Sequence, residues 1–314
     1  MSVSSNKVIS DQGTRSSYEL VENIEYIESI RNQEVYNTPN TDHRLPVTDY
    51  RIPINRAFSK QSAHYDATDN ANPILTDLRE QVYDHVALFM NPGSRILELN
   101  AGTGIDALYF AERGHSVLAT DISDGMIAQL KKKISDNDLE GRLSCRQLAY
   151  DHLESLEGEK FDYVFSNFGG LNCIEDLSRV SRQLPGLLMP GACVTWVIMP
   201  PVCPWELAGV LKGHGAKAFR RLHNNGTISH LEGEYFMTYY HTASKVRGAL
   251  GPHFRLVKSE GLAAISPPPH HGDLPKKKKR LYSFLRSVDS LVRHTFPFNR
   301  WADHIVLTFR YVGG

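Results

Sequence analysis

Ile96-Leu97-Glu98-Leu99-Asn100-Ala101-Gly102-Thr103-Gly104-Ile105-Asp106-Ala107 is an apolar run that ends in a glycine loop and opens a helical pattern. Gly102 and Gly104 allow a tight turn and a close approach of backbone to a ligand. Taken alone, Gly102-x-Gly104-x-x-Ala107 fits a dinucleotide fingerprint. A tight strand-to-helix turn without a ligand is the plainer reading of the same residues.

Around this loop, short apolar runs alternate with helical stretches. Strands are expected at 95–99, 116–120, 142–148, 161–166, 192–199, 254–262 and 304–312. Helices are expected near 104–113, 124–136 and 174–187. That alternation predicts an α/β fold: a doubly wound, mostly parallel, seven-stranded Rossmann-like sheet with helices on both faces. Insertions at 200–253 and 265–302 follow the fifth strand, where ligands bind beyond the strand ends and insertions shape a substrate pocket. The first holds one expected strand, Glu234–His241, with Tyr235, Met237 and Tyr239 on one face and Phe236, Thr238 and Tyr240 on the other.

Two acids narrow the ligand. Asp121 ends the second strand, seventeen residues past Gly104. A carboxylate there can accept both hydroxyls of a ribose, or it can simply cap the following helix. Glu98 lies just before the glycines, where its charge repels a pyrophosphate but suits a ligand carrying an ammonium and a sulfonium.

Ile96–Gly104 followed by Val117–Ser123 and Met126 resembles the class I S-adenosylmethionine-dependent methyltransferases, nearest the branch of quinone-biosynthesis and malonyl carrier-protein methyltransferases. The segment Ala57-Phe58-Ser59-Lys60-Gln61-Ser62-Ala63-His64-Tyr65-Asp66 resembles that branch's short N-terminal motif, and the likeness covers about residues 57 to 199. Asn100-Ala101 stands where the branch usually has Gly-Cys. The resemblance implies S-adenosyl-L-methionine as cofactor and S-adenosyl-L-homocysteine as product. It implies that Glu98, Asn100, Ala101, Gly102 and Gly104 cradle the methionine end, that Asp121 takes the ribose, and that Ile122 and Met126 pack on the adenine. Ala149 and Tyr150 follow the third strand near the adenine amino group. Ser166 and Asn167 end the fourth strand beside the methyl, and Tyr65 closes over the cofactor. Asp106 either caps the helix dipole or reaches the methionine portion.

Methyl transfer is an in-line displacement that needs alignment and exclusion of water, so no protein nucleophile or metal is required. The fourth-strand segment lacks the Asn-Pro-Pro-Tyr pattern of several methyltransferases acting on nucleic acids and proteins. The expected acceptor is a small, partly apolar or aromatic metabolite methylated on oxygen or nitrogen. Phe168, Asn172, Trp205, Tyr240 and His241 are its candidate contacts. His241 and His64 are the candidate bases by residue type. The alternatives are an NAD-dependent oxidoreductase and a non-catalytic cofactor-binding protein.

The whole chain agrees with a globular enzyme. Its 314 residues are 41% apolar and carry 35 basic and 35 acidic groups, a balance that argues against general nucleic-acid binding. No run reaches the ~18 apolar residues of a membrane span. The polar start lacks the apolar core of a signal peptide, so a cytoplasmic protein is expected. Cys145, Cys173, Cys193 and Cys203 are single, which suits neither zinc nor a disulfide framework, and no metal is expected. The run Lys276–Arg280 ahead of an amphipathic helix near 281–293 leaves peripheral membrane contact through 276–293 open, without stable insertion. The sequence assigns no oligomeric state.

Residues 1–56 read as an N-terminal extension: a polar start over 1–17, an amphipathic lid helix over 18–36 and a proline-rich connector. Residues 57–314 read as the methyltransferase domain. A further helix is expected from Asn72-Pro73, with Asn as N-cap and Pro at the first helical position.

Overall fold

A computed structural model describes residues 49–212 and 218–313. Seven strands form one sheet: β1 (Arg95–Leu99), β2 (Ser116–Asp121), β3 (Leu143–Gln147), β4 (Phe161–Ser166), β5 (Leu188–Ile198), β8 (Phe254–Leu262) and β9 (His304–Tyr311). Their order is β3-β2-β1-β4-β5-β9-β8. The first five strands run parallel, and β9 lies antiparallel between β5 and β8. The chain walks outward from β1 to β3, then returns to place β4 on the other side of β1. That reversal opens a crevice beyond the carboxyl ends of β1, β2 and β4.

Helices of six or more residues are α1 (Arg51–Gln61), α2 (Tyr65–Asn70), α3 (Pro73–Ala87), α4 (Ile105–Glu112), α5 (Asp124–Asp136), α6 (Ala243–Leu250) and α7 (Lys279–Val292). Strand alternation sorts the core into two layers. Ile96, Ala119, Phe165 and Val197 pack against α3, α4 and α5 through Leu78, Val82, Phe110 and Leu130. Leu97, Val164, Trp196 and Leu307 pack on the opposite side with Leu184, Leu187 and Val246. Glu98 therefore shares the face of Ile96, a charged side chain pointing into an apolar layer, and it is only 1% exposed.

The expected strands and the helices over 104–113 and 124–136 are present within one to four residues at each end. Asn72 caps α3 as expected, its side chain accepting from the Ile74 and Leu75 amides. The helix expected over 174–187 is instead two single turns, Ser178–Ser181 and Leu184–Leu187, because Pro185 and Gly186 break the pattern. The first insertion holds a hairpin, β6 (Thr227–Leu231) and β7 (Glu234–Thr238), joined by Glu232 and Gly233, both at positive φ. The partner strand Thr227–Leu231 has no clean alternation, but the two-residue turn was a readable hairpin signal. The connector ends earlier than expected: α1 begins at Arg51 and crosses the boundary drawn at residue 56. The helix expected over 18–36 lies outside the described residues. Among the described residues, no helix is long and apolar enough to cross a membrane.

Packing by itself requires a glycine at position 104. It caps α4 at φ +83, and a Cβ there would stand 2.2 Å from Leu130 Cδ1. Gly104→Ala should lower unfolding free energy by about 1–3 kcal/mol from clash and left-handed strain. An unchanged urea midpoint would refute this account of the glycine.

Candidate functional site

A cavity of about 220 Å³ fills the crevice. Its floor comes from strand ends and the loops behind them: Asn100, Gly102, Asp121, Ile122, Asn167, Phe168, Gly169 and Gly170, with Met126 from α5 and Ala149 and Tyr150 after β3. Its roof comes from α1 and the hairpin: Tyr50, Ile54, Phe58 and Gln61 face Ser229, His230, Phe236, Thr238 and Tyr240. Tyr65 closes one side, and Met199 and Arg220 lie in the wall.

α1 is strapped to both lips. Phe58 meets Phe236 at 5.8 Å between ring centroids, and Lys60 pairs with Glu234 at 2.6 Å. On the other lip Ser59 Oγ bonds Ser123 Oγ at 2.7 Å and Asp124 Oδ1 at 2.6 Å. Gly125 permits the approach, because a Cβ there would lie 2.7 Å from the Ser59 backbone. Asp66 anchors the next turn by accepting from Thr103 Oγ1 at 2.5 Å and pairing with Lys133 at 2.5 Å. Tyr65 is thereby held beside the glycine loop.

The loop itself is oriented by Asp121. Its carboxylate accepts the Gly102 amide at 2.8 Å and the Ser123 amide at 2.8 Å. Burial raises its pKa, while these backbone bonds act in the opposite direction. Asn100 adopts φ 50, a conformation that Asn tolerates better than most side chains. It accepts from Ser166 Oγ at 2.6 Å and donates to the Asn167 carbonyl at 3.2 Å, so it ties β1 to the end of β4.

Several expected site residues lie elsewhere, each for a visible reason. Asn172 is fully buried and donates to the Met199 and Tyr239 carbonyls while accepting the Met199 amide, a backbone clamp with no face left for an acceptor. Trp205 donates to the Ile265 carbonyl at 2.9 Å and packs on His271 outside the cavity. His241 is fully buried against the Ile174 carbonyl at 3.0 Å, and burial lowers its pKa to about 4. His64 is exposed beside Glu232 at 3.1 Å. Neither imidazole reaches the cavity; among the described residues His230 is the one that lines it. Glu98, Ala101, Gly104 and Ser166 are not among the residues that line the cavity. Asp106 is sequestered: it accepts from Arg79 at 2.5 Å, Tyr83 Oη at 2.7 Å and Asn167 Nδ2 at 3.0 Å.

Sequence reasoning missed Ile54, Phe58 and Gln61, although their four- and three-residue spacing marks one helical face. It also missed Arg220 and His230, which no local pattern distinguishes. Burial pushes the Cys173 thiol up to about 12, so it offers no thiolate at neutral pH. Cys203, Glu206 and Asp303 bring three ligand-type atoms within 4.8 Å of one another. A guanidinium already serves as their cation: Arg221 donates to Glu206 at 2.8 Å and to Asp303 Oδ1 at 2.7 Å.

Glu98 is the electrostatic outlier. Burial raises its pKa well above the usual range, and the neighbouring Asp106 and Asp121 charges add to this against Arg79. Its Oε2 has no hydrogen-bond partner. The unfolded chain ionises this carboxyl near 4.5 while the folded protein holds its proton to higher pH. Its contribution to stability is therefore lost as pH rises above about 4.5. Glu98→Gln should raise the melting temperature of the ligand-free protein at pH 7 and flatten its pH dependence above 4.5. Equal melting curves for the two proteins would contradict the buried charge.

Comparison with known proteins follows this geometry. Residues 96–191 match the family model of a methyltransferase domain. The chain is 26% identical over 155 residues to a demethylmenaquinone methyltransferase of Clavibacter sepedonicus, over 48% of this chain and 60% of that protein. It is 32% identical over 77 residues to an S-adenosyl-L-methionine-dependent Diels-Alderase of Neonectria sp. (strain DH2), over 24% of this chain and 32% of that protein. The fold superposes with a TM-score of 0.53 on the 1,6-didemethyltoxoflavin-N1-methyltransferase of Burkholderia thailandensis, at 16% identity over 87% of this chain and 94% of that one. The match to the curated quinone relative thus spans less than two thirds of its length. The segment around the glycine loop is a class I S-adenosylmethionine-dependent methyltransferase domain near the quinone-biosynthesis branch.

Proposed function

With residues 96–191 a methyltransferase domain, we propose that the whole chain transfers a methyl group to a small, partly apolar acceptor, on oxygen or nitrogen. One observation carries this reading. A single cavity joins the strand-end floor, where Asp121, Ile122 and Met126 lie, to the insertion wall of Arg220, His230, Phe236 and Tyr240. Two ligands can therefore meet in one enclosed space.

S-adenosylmethionine, when bound, supplies an electrophilic methyl group on a sulfonium. Two features fit it to the floor. Glu98, buried and outside the cavity lining, has an unpartnered Oε2 just ahead of the lining residues Asn100 and Gly102 in the chain, and its sign suits a cationic ligand. Gly102, at φ +57, leaves open space, since a Cβ there would meet only Met126 Sδ at 4.0 Å. Asp121 is oriented by two backbone amides and keeps lone pairs for ribose hydroxyls. Ile122, Met126 and Ala149 offer apolar walls for a purine. Glu98 ahead of the glycine loop suits a cationic ligand better than a pyrophosphate, which argues against the NAD alternative.

The chain's own residues then align the acceptor and exclude water. Phe58, Phe236 and Tyr240 give its apolar body a surface. His230 is the side chain placed to accept a proton from a hydroxyl or ammonium acceptor. Arg220 is held by Glu206 through Nε at 2.8 Å and Nη2 at 2.7 Å, which directs the remaining edge of its guanidinium independently of the ligand. An acceptor oxygen carrying partial negative charge suits that edge.

The similarity to a Diels-Alderase supports one second reading, in which the same cavity binds the cofactor and accelerates a reaction without methyl transfer. Formation of S-adenosylhomocysteine with a panel of phenolic, enolic and heteroaromatic acceptors separates the two. Cofactor binding without turnover across the panel would overturn the first reading.

Asp121→Ala should weaken S-adenosylhomocysteine binding by roughly 2–4 kcal/mol, through loss of two charge-assisted bonds, with the fold retained. Calorimetry checks this, and unchanged affinity would exclude the ribose role. His230→Ala should leave that affinity alone yet cut turnover on a hydroxyl acceptor by about a hundredfold or more. Full turnover in the variant would remove His230 from the chemistry.

A further inference from the structure

α7 is mounted with its sides exchanged. The residues it buries are Tyr282 and Asp289. Tyr282 Oη donates to Asp77 Oδ2 at 2.5 Å, and Arg286 pairs with the same carboxylate at 3.3 Å. Asp289 accepts from the Ala264 and Ile265 amides and from Ser266 Oγ. Polar contacts thus hold the docked side. The apolar residues Leu281, Phe284, Val288 and Leu291 occupy an arc of roughly 80° at 100° per residue, turned from that side, with Val288 half-buried and Leu285 and Val292 half-buried between the arc and the docked side. Leu281 is 44% exposed, Phe284 64% and Leu291 77%. Just beyond the helix, Phe296 is 70% and Trp301 43% exposed. Most helices of a globular domain place such an arc in the core. Clustered exposed apolar residues mark an interaction site.

The charge around this surface is one-sided. Residues 274–293 contain seven Lys and Arg and one acid, in a chain whose 35 basic and 35 acidic groups balance as a whole. Lys277 pairs with Asp273. Lys278, Lys279 and Arg280 are exposed and have no ion pair among the described residues. Helix stability does not account for the run, because cations in a first turn oppose the helix dipole and α7 has no acid there.

We infer that this face rests on an anionic lipid surface. The apolar arc, with Phe296 and Trp301, enters the boundary between headgroups and acyl chains, and Lys276–Arg280 lie among the headgroups. Charge complementarity selects that occupant. A second copy of this chain would bring two basic runs together, and an uncharged partner would make no use of them.

Co-sedimentation of the full chain with vesicles tests this. Binding should be at least tenfold stronger to phosphatidylcholine containing about one third phosphatidylserine than to phosphatidylcholine alone, and should weaken as salt is raised. Phe284→Asp with Leu291→Asp should reduce binding at least tenfold, as should Lys278→Glu with Lys279→Glu, while both variants keep S-adenosylhomocysteine affinity. The charge-reversal pair is fully exposed, so it decides the matter even if the first pair perturbs folding. Absence of vesicle binding by the unaltered chain overturns the inference. So does undiminished binding by the variants, or a dimer in sedimentation velocity that Phe284→Asp with Leu291→Asp dissociates.

Discussion

Arg79 lies between Asp69 and Asp106, 9% of its side chain exposed, and donates to both carboxylates. Asp69 belongs to α2, Arg79 to α3 and Asp106 to α4, so one guanidinium joins three elements around the glycine loop. Asp106 passes the constraint on by accepting from Asn167 at the end of β4. Phe168, beside it, covers the guanidinium at 4.9 Å. The floor of the cavity, the turn that carries Tyr65 and the fourth-strand end are therefore positioned by one buried ionic cluster. Removing one partner of such a pair is strongly destabilising, because an uncompensated charge stays buried. The cluster is better understood as setting a unique arrangement than as adding net stability. It also places positive charge near Glu98, which would otherwise face only other carboxylates.

A second buried ionic cluster does the same for the roof. Arg221 is shared between Glu206 and Asp303, and Glu206 in turn holds Arg220. Asp303 immediately precedes β9, so the first insertion is pinned by charge to the start of an interior strand of the sheet. The hairpin β6–β7 then needs only α1 to close the space, through Phe58 against Phe236 and Lys60 against Glu234. Both roof contacts are partly exposed, whereas those of the floor are buried.

Two residues first considered for contact with the acceptor illustrate how burial reassigns chemistry. His241 and Asn172 have the right functional groups, but each spends them on backbone that an irregular loop leaves unpaired. Asn172 satisfies the chain at Met199 and Tyr239, and His241 satisfies Ile174. Loops that lie in the interior need such partners, since an unpaired buried carbonyl or amide is costly. Functional groups in an insertion are recruited for this purpose as often as for catalysis.

The local pattern of the sequence determined the sheet, the helices over 104–113 and 124–136, the cap at Asn72 and the glycine loop with Asp121. Each rests on interactions between near neighbours: strand alternation, helix periodicity, a cap two residues from its amide, a left-handed turn. The same local logic placed Glu98 and Asp121 toward strand ends and Met126 in the first turn of α5, where the fold itself makes a crevice. Only the tertiary structure decided which side chains enter that crevice from far away in the chain. Arg220 and His230 carry no mark that separates them from Arg221 and His241. Which of them faces the cavity depends on the docking of an insertion by salt bridges to Asp303, about eighty residues further on. The outward turn of Leu281, Phe284 and Leu291 was equally hidden. An amphipathic pattern states that a helix has two faces, and the contacts of Tyr282 and Asp289 with distant elements choose which one the domain covers.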